Sequence, residues 1–452
     1  AFCFAPYWFN NQGYNTFQEI IILLVSNQLK VVKTRVLICA MIALLGLQNI
    51  YAQNTYTNPV IRKYLADPSV IKANDGWFYV YATESAGLAI PIYKSQNLVD
   101  WTFVGSAFTK AGRPTFVKNG WLWAPDINYI NGKYVLYYSM SVWGGEWECG
   151  IGVATSSSPS GPFKDHGKLF TSSEIGVRNS IDPCFFQDKD GKNYLFWGSF
   201  HGIYGAELSA DGLRLKKETK FQISTIEGKN RTLVEGTMMV RRGDYYYFFA
   251  SAGSCCNELN STYHVVVARS KNIKGPYLNK AGQSIMDHFS DVILQGSDKV
   301  KGPGHHSELI KDDKGSYWVL YHGYDVMNPS DGRLLFLDKV NWDKDGWPFF
   351  TGGKPSEKSV KPTFSTTAIN DVTAFNKTYT ITNSGENHYE IHAPVHSSFI
   401  WSLYNICGER IKSGRSTEVQ ELWVNDIANG IYVVKVNGVA GKLEQKIIKV
   451  DR

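Results

Sequence analysis

The chain has 452 residues, a formal charge of +6, 19% charged residues and 14% aromatics. This composition excludes a disordered chain, and the thin spread of Lys and Arg, with no long basic run, argues against a nucleic-acid partner. The length suits one large domain or two ordinary ones.

The N-terminus reads as a targeting segment. Lys33 and Arg35 precede a twelve-residue apolar run, Val36 to Leu47, and small Ala52 offers a cleavage point before Gln53. That order of charged, apolar and small residues is that of a secretory signal, and the run is too short to span a bilayer comfortably. Residues 1–52 are therefore assigned as leader, with the signal peptide at about 31–52 and translation expected to begin near Val31 or Val32.

From Asp67 onward one pattern recurs five times: a loop residue, a β-rich run, a Gly turn and an aromatic strand. The copies are "DPSVIKANDGWFYVYATES" from Asp67, "PDINYINGKYVLYYSMS" from Pro125, "DPCFFQDKDGKNYLFWGSF" from Asp182, "EGTMMVRRGDYYYFFASAG" from Glu235 and "HSELIKDDKGSYWVLYHGY" from His306. The turn glycines Gly76, Gly132, Gly191, Gly243 and Gly315 lie 56, 59, 52 and 72 residues apart. Each copy reads as a β-hairpin, and a second hairpin follows most of them, as in "LAIPIYKSQNLVDWTFVG". Four strands per unit is the arithmetic of a propeller blade. The expected fold is all-β: a five-bladed β-propeller over 56–352, then a linker over 353–375 and a small β-sandwich-like domain over 376–452.

In a propeller the residue just ahead of each innermost strand sits at one mouth of the central channel. Here these would be Asp67, Asp126, Asp182, Glu235 and the pair His305–His306. Any one Asp before Pro is ordinarily a turn residue. Four acids in one register are different, because like charges brought together repel and raise one another's pKa, which marks a functional site. Paired carboxylates suit glycoside hydrolysis, where one protonates the leaving oxygen and the other activates water or attacks the sugar. The aromatics Trp77, Trp121, Trp123, Trp143, Trp147, Trp197 and Phe200 are expected around the site, with Trp123 favoured as the sugar platform.

Five cysteines follow the leader: Cys149, Cys184, Cys255, Cys256 and Cys407. No CxxC spacing occurs, which argues against zinc. Cys255–Cys256 reads as two small buried hydrophobes, since a bridge between neighbours is strained. The two "DKDG" stretches read as plain hairpin turns rather than calcium loops.

The motifs "ADPSV" (66–70), "WAPDI" and "NGKYVLYYS" (123–139), "NSIDP" (179–183), "YLFWGSF" (194–200), "VEG" (234–236), "CCNELNSTYHVVVARSKNIKGPY" (255–277) and "GPGHHSEL" (302–309) occur in this order. In them the chain resembles glycoside hydrolase family 43, close to the arabinan endo-1,5-α-L-arabinosidases, over about residues 60–350. The resemblance implies Asp67 as general base, Glu235 as general acid and Asp182 as the group that tunes and orients that acid. It implies inversion, with carboxyls roughly 6.5–9.5 Å apart. Trp123, Asp126, Ser199 and Phe200 are assigned to substrate binding. It also implies a calcium ion held by His305 with water completing the shell. The family's Gly-His-Asn-Ser is here Gly304-His305-His306-Ser307, and its common Glu-Ala-Pro is Glu235-Gly236-Thr237. Residues 141–149 and 253–262 are the loops expected to shape the groove.

After Phe350 the character changes. "LYNICGERIKSG", "NGIYVVKV" and the closing "KIIKV" resemble the C-terminal sorting domain of type IX secretion. The expectation is a monomeric enzyme, secreted or on the cell surface, acting on plant cell-wall arabinan, with the secretion machinery as its other partner. The alternatives are an exo-arabinofuranosidase, β-xylosidase or galactan-acting enzyme of the same family, or a non-catalytic sugar-binding propeller. A retaining fructan-cleaving enzyme is disfavoured, because Ile181 precedes Asp182 and Gly236 follows Glu235.

Overall fold

In the computed structural model the described residues are 54–225, 233–364, 379–385, 387–392, 398–417, 419–438 and 441–449. The expected leader and signal peptide lie outside the described residues. The chain divides into two compact units, 1–364 and 365–452.

The first unit contains five antiparallel sheets in chain order, each opened by one of the recurring hairpins. Their first strands are Ser69–Lys72, Trp121–Ile130, Cys184–Gln187 and Val234–Arg242, and in the fifth sheet a broken one, Val300–Gly304 followed by Ile310–Lys311. Both pieces of that broken strand pair with Tyr317–Asp325. The turn glycines Gly76, Gly132, Gly191, Gly243 and Gly315 all have positive φ, as the tight turns demand. In the fourth sheet the outer strand is Asp291–Leu294, later in sequence than the "GPY" segment, where Leu278 makes only isolated bridges.

The inner strands are apolar on both sides. Phe78–Tyr81 is buried at every residue, and Tyr245–Ala252 at all but its first. A strand covered on both faces loses the usual alternation. An outermost strand such as Lys164–Thr171 keeps it. Among the described residues of this unit five apolar clusters form, one between each pair of neighbouring sheets. Tyr81 and Leu136 join the first and second, Val135 and Leu195 the second and third, Phe196 and Phe248 the third and fourth. Phe249 and Tyr321 join the fourth and fifth, and Val80 with Leu335 joins the fifth back to the first. Each large side chain so buried contributes about 1.5–3 kcal/mol.

The same closure is made by strand pairing: Thr55–Thr57 lies antiparallel to Lys358–Val360. This corrects the expected linker over 353–375. Residues 358–360 are a strand of the first unit, and Phe364 packs on Phe78 with ring centroids 4.6 Å apart. The polar composition of 353–364 hid this, because an edge strand needs few apolar residues.

In the second unit Thr380–Gly385, His388–His392 and Val419–Trp423 form one sheet, and Arg410–Ser416, Phe399–Asn405, Gly430–Gly438 and Gly441–Lys449 form another. The two share a core of Ile391, Leu403, Leu422, Val434 and Ile447. Gly430–Gly438 alternates buried and exposed residues, the pattern of a sheet with one wet face.

Candidate active site

Each of the five sheets has a left-handed residue at the turn into its inner strand: Asp67 (φ 55°), Ala124 (φ 42°), Asp182 (φ 59°), Gly236 (φ 57°) and His305 (φ 46°). In three sheets a Pro follows it: Pro68, Pro125 and Pro183. Left-handed backbone is costly for residues other than Gly and persists where the surroundings enforce it, commonly at functional sites. Here it turns the chain at the start of the inner strand.

This shared register corrects the reading of Asp126. The residue equivalent to Asp67 and Asp182 is Ala124, and Asp126 lies two positions further along, beside a bulge between Trp123 and Asp126. Its Oδ2 accepts from the Phe185 amide and the Asn128 side chain, each at 2.8 Å. It faces Glu308, whose carboxylate accepts from the Ser69 hydroxyl at 2.6 Å and the Val70 amide at 2.7 Å. Burial and the Glu308 charge push the Asp126 carboxyl well up. This pair ties neighbouring inner strands together and does not line the cleft.

The cleft, about 990 Å³, is at the upper end of ligand pockets, which run ~300–1,000 Å³. It brings together Asp67, Asp182, Glu235, His305, Trp123, Ser199 and Phe200. Trp121 and Trp143 also line it, and Trp123 packs edge-on against Trp143, 6.4 Å between centroids. Of the other expected aromatics, Trp197 is wholly buried against Phe170. Trp77 packs beside the first core under Lys94. Trp147 is half exposed but is not part of the cleft wall. Both expected loops line the cleft, through Ser141–Glu146 and through Cys255 and Cys256.

The three acids have opposed environments. Burial alone would raise Asp67, but the Arg333 guanidinium and the His305 and His322 imidazoles hold its carboxyl well below the usual range. Arg333 Nη1 donates to Asp67 Oδ1 at 2.9 Å, and Thr83 Oγ1 donates to Oδ2 at 2.5 Å. The Asp67 amide donates to His322 Nδ1 at 3.2 Å. Glu235 is raised by burial, against a hydrogen bond from Ser199 Oγ to its Oε2 at 2.6 Å. Asp182 is pushed well up by burial, then by the charges of Glu235 and Asp67. Its Oδ2 accepts from the Gly236 amide at 3.1 Å, so it grips the strand that carries Glu235. Tyr263 lies close enough to Glu235 for that charge, after burial, to raise its phenol.

Arg333, His322, Thr83 and Tyr263 escaped the sequence reading. Arg333 opens the third strand of the fifth sheet, Arg333–Trp342, and His322 lies in the second. The repeat drew attention only to the residues ahead of the opening strands. A lone Arg at the head of the apolar run "RLLFL" was the available signal for Arg333.

Among the described residues no cluster of three or more His, Cys, Asp or Glu side chains could hold a metal ion. His305 fits only as a single protein ligand. Burial pushes its imidazole down to about 4, so the ring is neutral. Its Nδ1 faces Asp67 Oδ1 at 3.3 Å, leaving Nε2 for an ion or a water. Calcium prefers oxygen, so water would have to supply the rest of the shell. His306 points elsewhere, edge-on to Phe249, its Nδ1 3.0 Å from the Ser307 carbonyl.

Comparison with known proteins gives a concordant picture. The model of glycosyl hydrolases family 43 matches residues 56–348, and that of a secretion system C-terminal sorting domain matches 383–450. An extracellular endo-α-(1→5)-L-arabinanase of Bacillus subtilis is 35% identical over 63% of this chain and 87% of its own length. An extracellular exo-α-(1→5)-L-arabinofuranosidase of Cellvibrio japonicus is 33% identical over 62% of this chain and 85% of its own. Among solved structures, α-L-arabinanase of Cellvibrio cellulosa complexed with arabinohexaose aligns with a TM-score of 0.57 at 31% identity, covering 64% of this chain and 96% of that one.

Proposed function

The chain belongs to glycosyl hydrolase family 43, and from that premise we propose that it is a secreted or surface-held arabinanase that cleaves internal α-1,5 linkages of L-arabinan with inversion. In this reading the five sheets are the blades of a propeller and the cleft lies at one mouth of its channel. One copy contains every acid of the cleft, so a monomer suffices.

One observation carries the mechanism: two carboxyls of one cleft sit in environments that push them in opposite directions. Asp67, ion-paired with Arg333, stays ionised and accepts a proton from the attacking water. The pairing fixes orientation and charge at some cost in basicity. Glu235, raised by burial, stays protonated and gives that proton to the departing glycosidic oxygen. Asp182, itself raised by burial and by the Glu235 charge, accepts from the Gly236 amide and so orients the strand that carries the acid. Trp123 and Phe200 offer apolar faces to the sugar, and Ser199 aims the acid through its hydrogen bond. A calcium ion on His305 Nε2 would supply positive charge that orders water beside the acids.

The endo mode is supported by exposed aromatics along the cleft wall, Phe103, Trp121 and Trp143, which can accept sugars on both sides of the broken bond. The test is the product pattern from debranched linear arabinan, beside aryl arabinoside, xyloside and galactoside, with Glu235→Gln as control. Short arabino-oligosaccharides lost in the variant support the reading. Release from a single aryl glycoside only moves it to exo action on that sugar.

A further inference from the structure

The mechanism makes no use of the vicinal cysteines. Contrary to the expectation of two buried thiols, Cys255 and Cys256 are joined by a disulfide, Cys256 is exposed, and both line the cleft. The remaining described cysteines, Cys149, Cys184 and Cys407, are free.

The bridge lies in the segment that leaves strand Tyr245–Ala252 and returns as His264–Ser270, in the sheet that also carries Glu235. The base of that segment is laced shut. The Ser261 hydroxyl donates to the Ser254 carbonyl at 2.6 Å and the Cys255 carbonyl at 3.3 Å, and the Ser254 amide donates to Thr262 Oγ1 at 3.0 Å. Ser261 also sits so close to Gly302 that a Cβ there would fall 2.1 Å from its hydroxyl oxygen. The strands on either side carry Ser251, whose Oγ accepts from the His305 amide at 2.8 Å, and lead to Tyr263 beside Glu235. The sulfurs are therefore held in a fixed relation to the acid.

A disulfide between consecutive residues closes a small ring through the peptide bond that joins them. Such a ring has lost its side-chain rotors, carries no charge and presents polarizable sulfur, so it binds an apolar surface at little cost in entropy. We propose that the Cys255–Cys256 bridge is a substrate-positioning surface of the cleft, against which the apolar face of a furanose unit packs. The inference rests on the reading of the cleft as a glycan-cleaving site. An oxidising compartment preserves such a bridge, in keeping with the sorting domain. Exchange with a dithiol opens it: the protein gains two thiols and the dithiol becomes a cyclic disulfide.

The test uses the full chain on linear arabinan in three states: oxidised, reduced with dithiothreitol, and reoxidised, beside the double variant Cys255→Ser/Cys256→Ser. The expected result is a rise in KM of about tenfold on reduction, the factor that loss of one modest apolar contact gives, with kcat within about twofold. Reoxidation restores KM and the double variant matches the reduced enzyme. An unchanged KM overturns the proposal, and so does a fall in kcat alone, which would make the bridge only a support for Glu235. Should the double variant not fold, the reduction and reoxidation series decides by itself. If the wild type cleaves another glycan instead, the same KM comparison on that glycan decides. If it cleaves none, the underlying reading has failed and this inference falls with it.

Discussion

Arg333 Nη1 lies 2.9 Å from Asp67 Oδ1, although 266 residues separate the two in sequence. Asp67 must be ionised to act as base, so activity falls as pH drops through its lowered pKa. Without Arg333, burial is less opposed and that pKa rises. Arg333→Lys is expected to move the acidic limb of kcat/KM to higher pH and to cost on the order of tenfold at neutrality, since lysine lacks the planar fork. An acidic limb that stays in place would dissociate Arg333 from the base.

In the proposed mechanism Glu235 fixes the opposite limb. It must be protonated, so activity is lost as pH rises through its raised pKa. Glu235→Gln should lower kcat on arabinan by about 10²–10⁴-fold, the usual worth of a positioned acid. The loss should be smaller on aryl arabinosides whose leaving group needs no proton. NMR of the first-formed sugar anomer checks the partner expectation of inversion.

The same burial has a stability cost. A carboxyl whose folded pKa is raised binds its proton more tightly in the folded state, so stability declines as pH climbs above the unfolded value, 4.5 for Glu235. Glu235→Gln removes that charge and is expected to raise the melting temperature at pH 8 by on the order of 2 °C, with no gain at pH 4. Calorimetry at both pH values is sufficient.

Asp126 should behave as a structural residue. Asp126→Ala removes the acceptor of the Phe185 amide and the Asn128 side chain, two part-buried hydrogen bonds each worth about 1 kcal/mol. The expected signature is a lower melting temperature with KM for arabinan unchanged. A raised KM with unchanged melting would return Asp126 to the substrate.

For His305, removal of metal with a chelator is expected to lower both activity and melting temperature, and added calcium to restore them. His305→Gln should abolish that response. A chelator without effect leaves the ring as a neutral neighbour of Asp67.

The acids were legible in the sequence because Asp67 and Asp182 occupy a repeated position ahead of an apolar strand, and Glu235 sits one residue before the equivalent Gly236. The repeat also misled. Asp126 follows its Pro where Asp67 and Asp182 precede theirs, and only the left-handed residue of each sheet shows Ala124 as the true equivalent. Arg333 was out of reach because its strand follows the repeated hairpin, and His322 because the repeat drew attention to the residues ahead of each first strand and not to the end of the second. The strand at 358–360 was missed for a related reason: pairing with 55–57 uses backbone groups, which leave no mark in composition.

That short pairing gives the catalytic unit a clasp made from its two ends. A chain exported from its N-terminus carries one half of the clasp out first and the other half nearly last. Asp67 emerges long before the arginine that sets its charge. The ion pair that holds the Asp67 carboxylate therefore cannot form until the fifth sheet is present. New chain ends placed in a polar outer turn should be tolerated once the ends of this unit are joined, because a covalent link would add to the three-residue ladder and the apolar cluster that already close the fifth sheet onto the first.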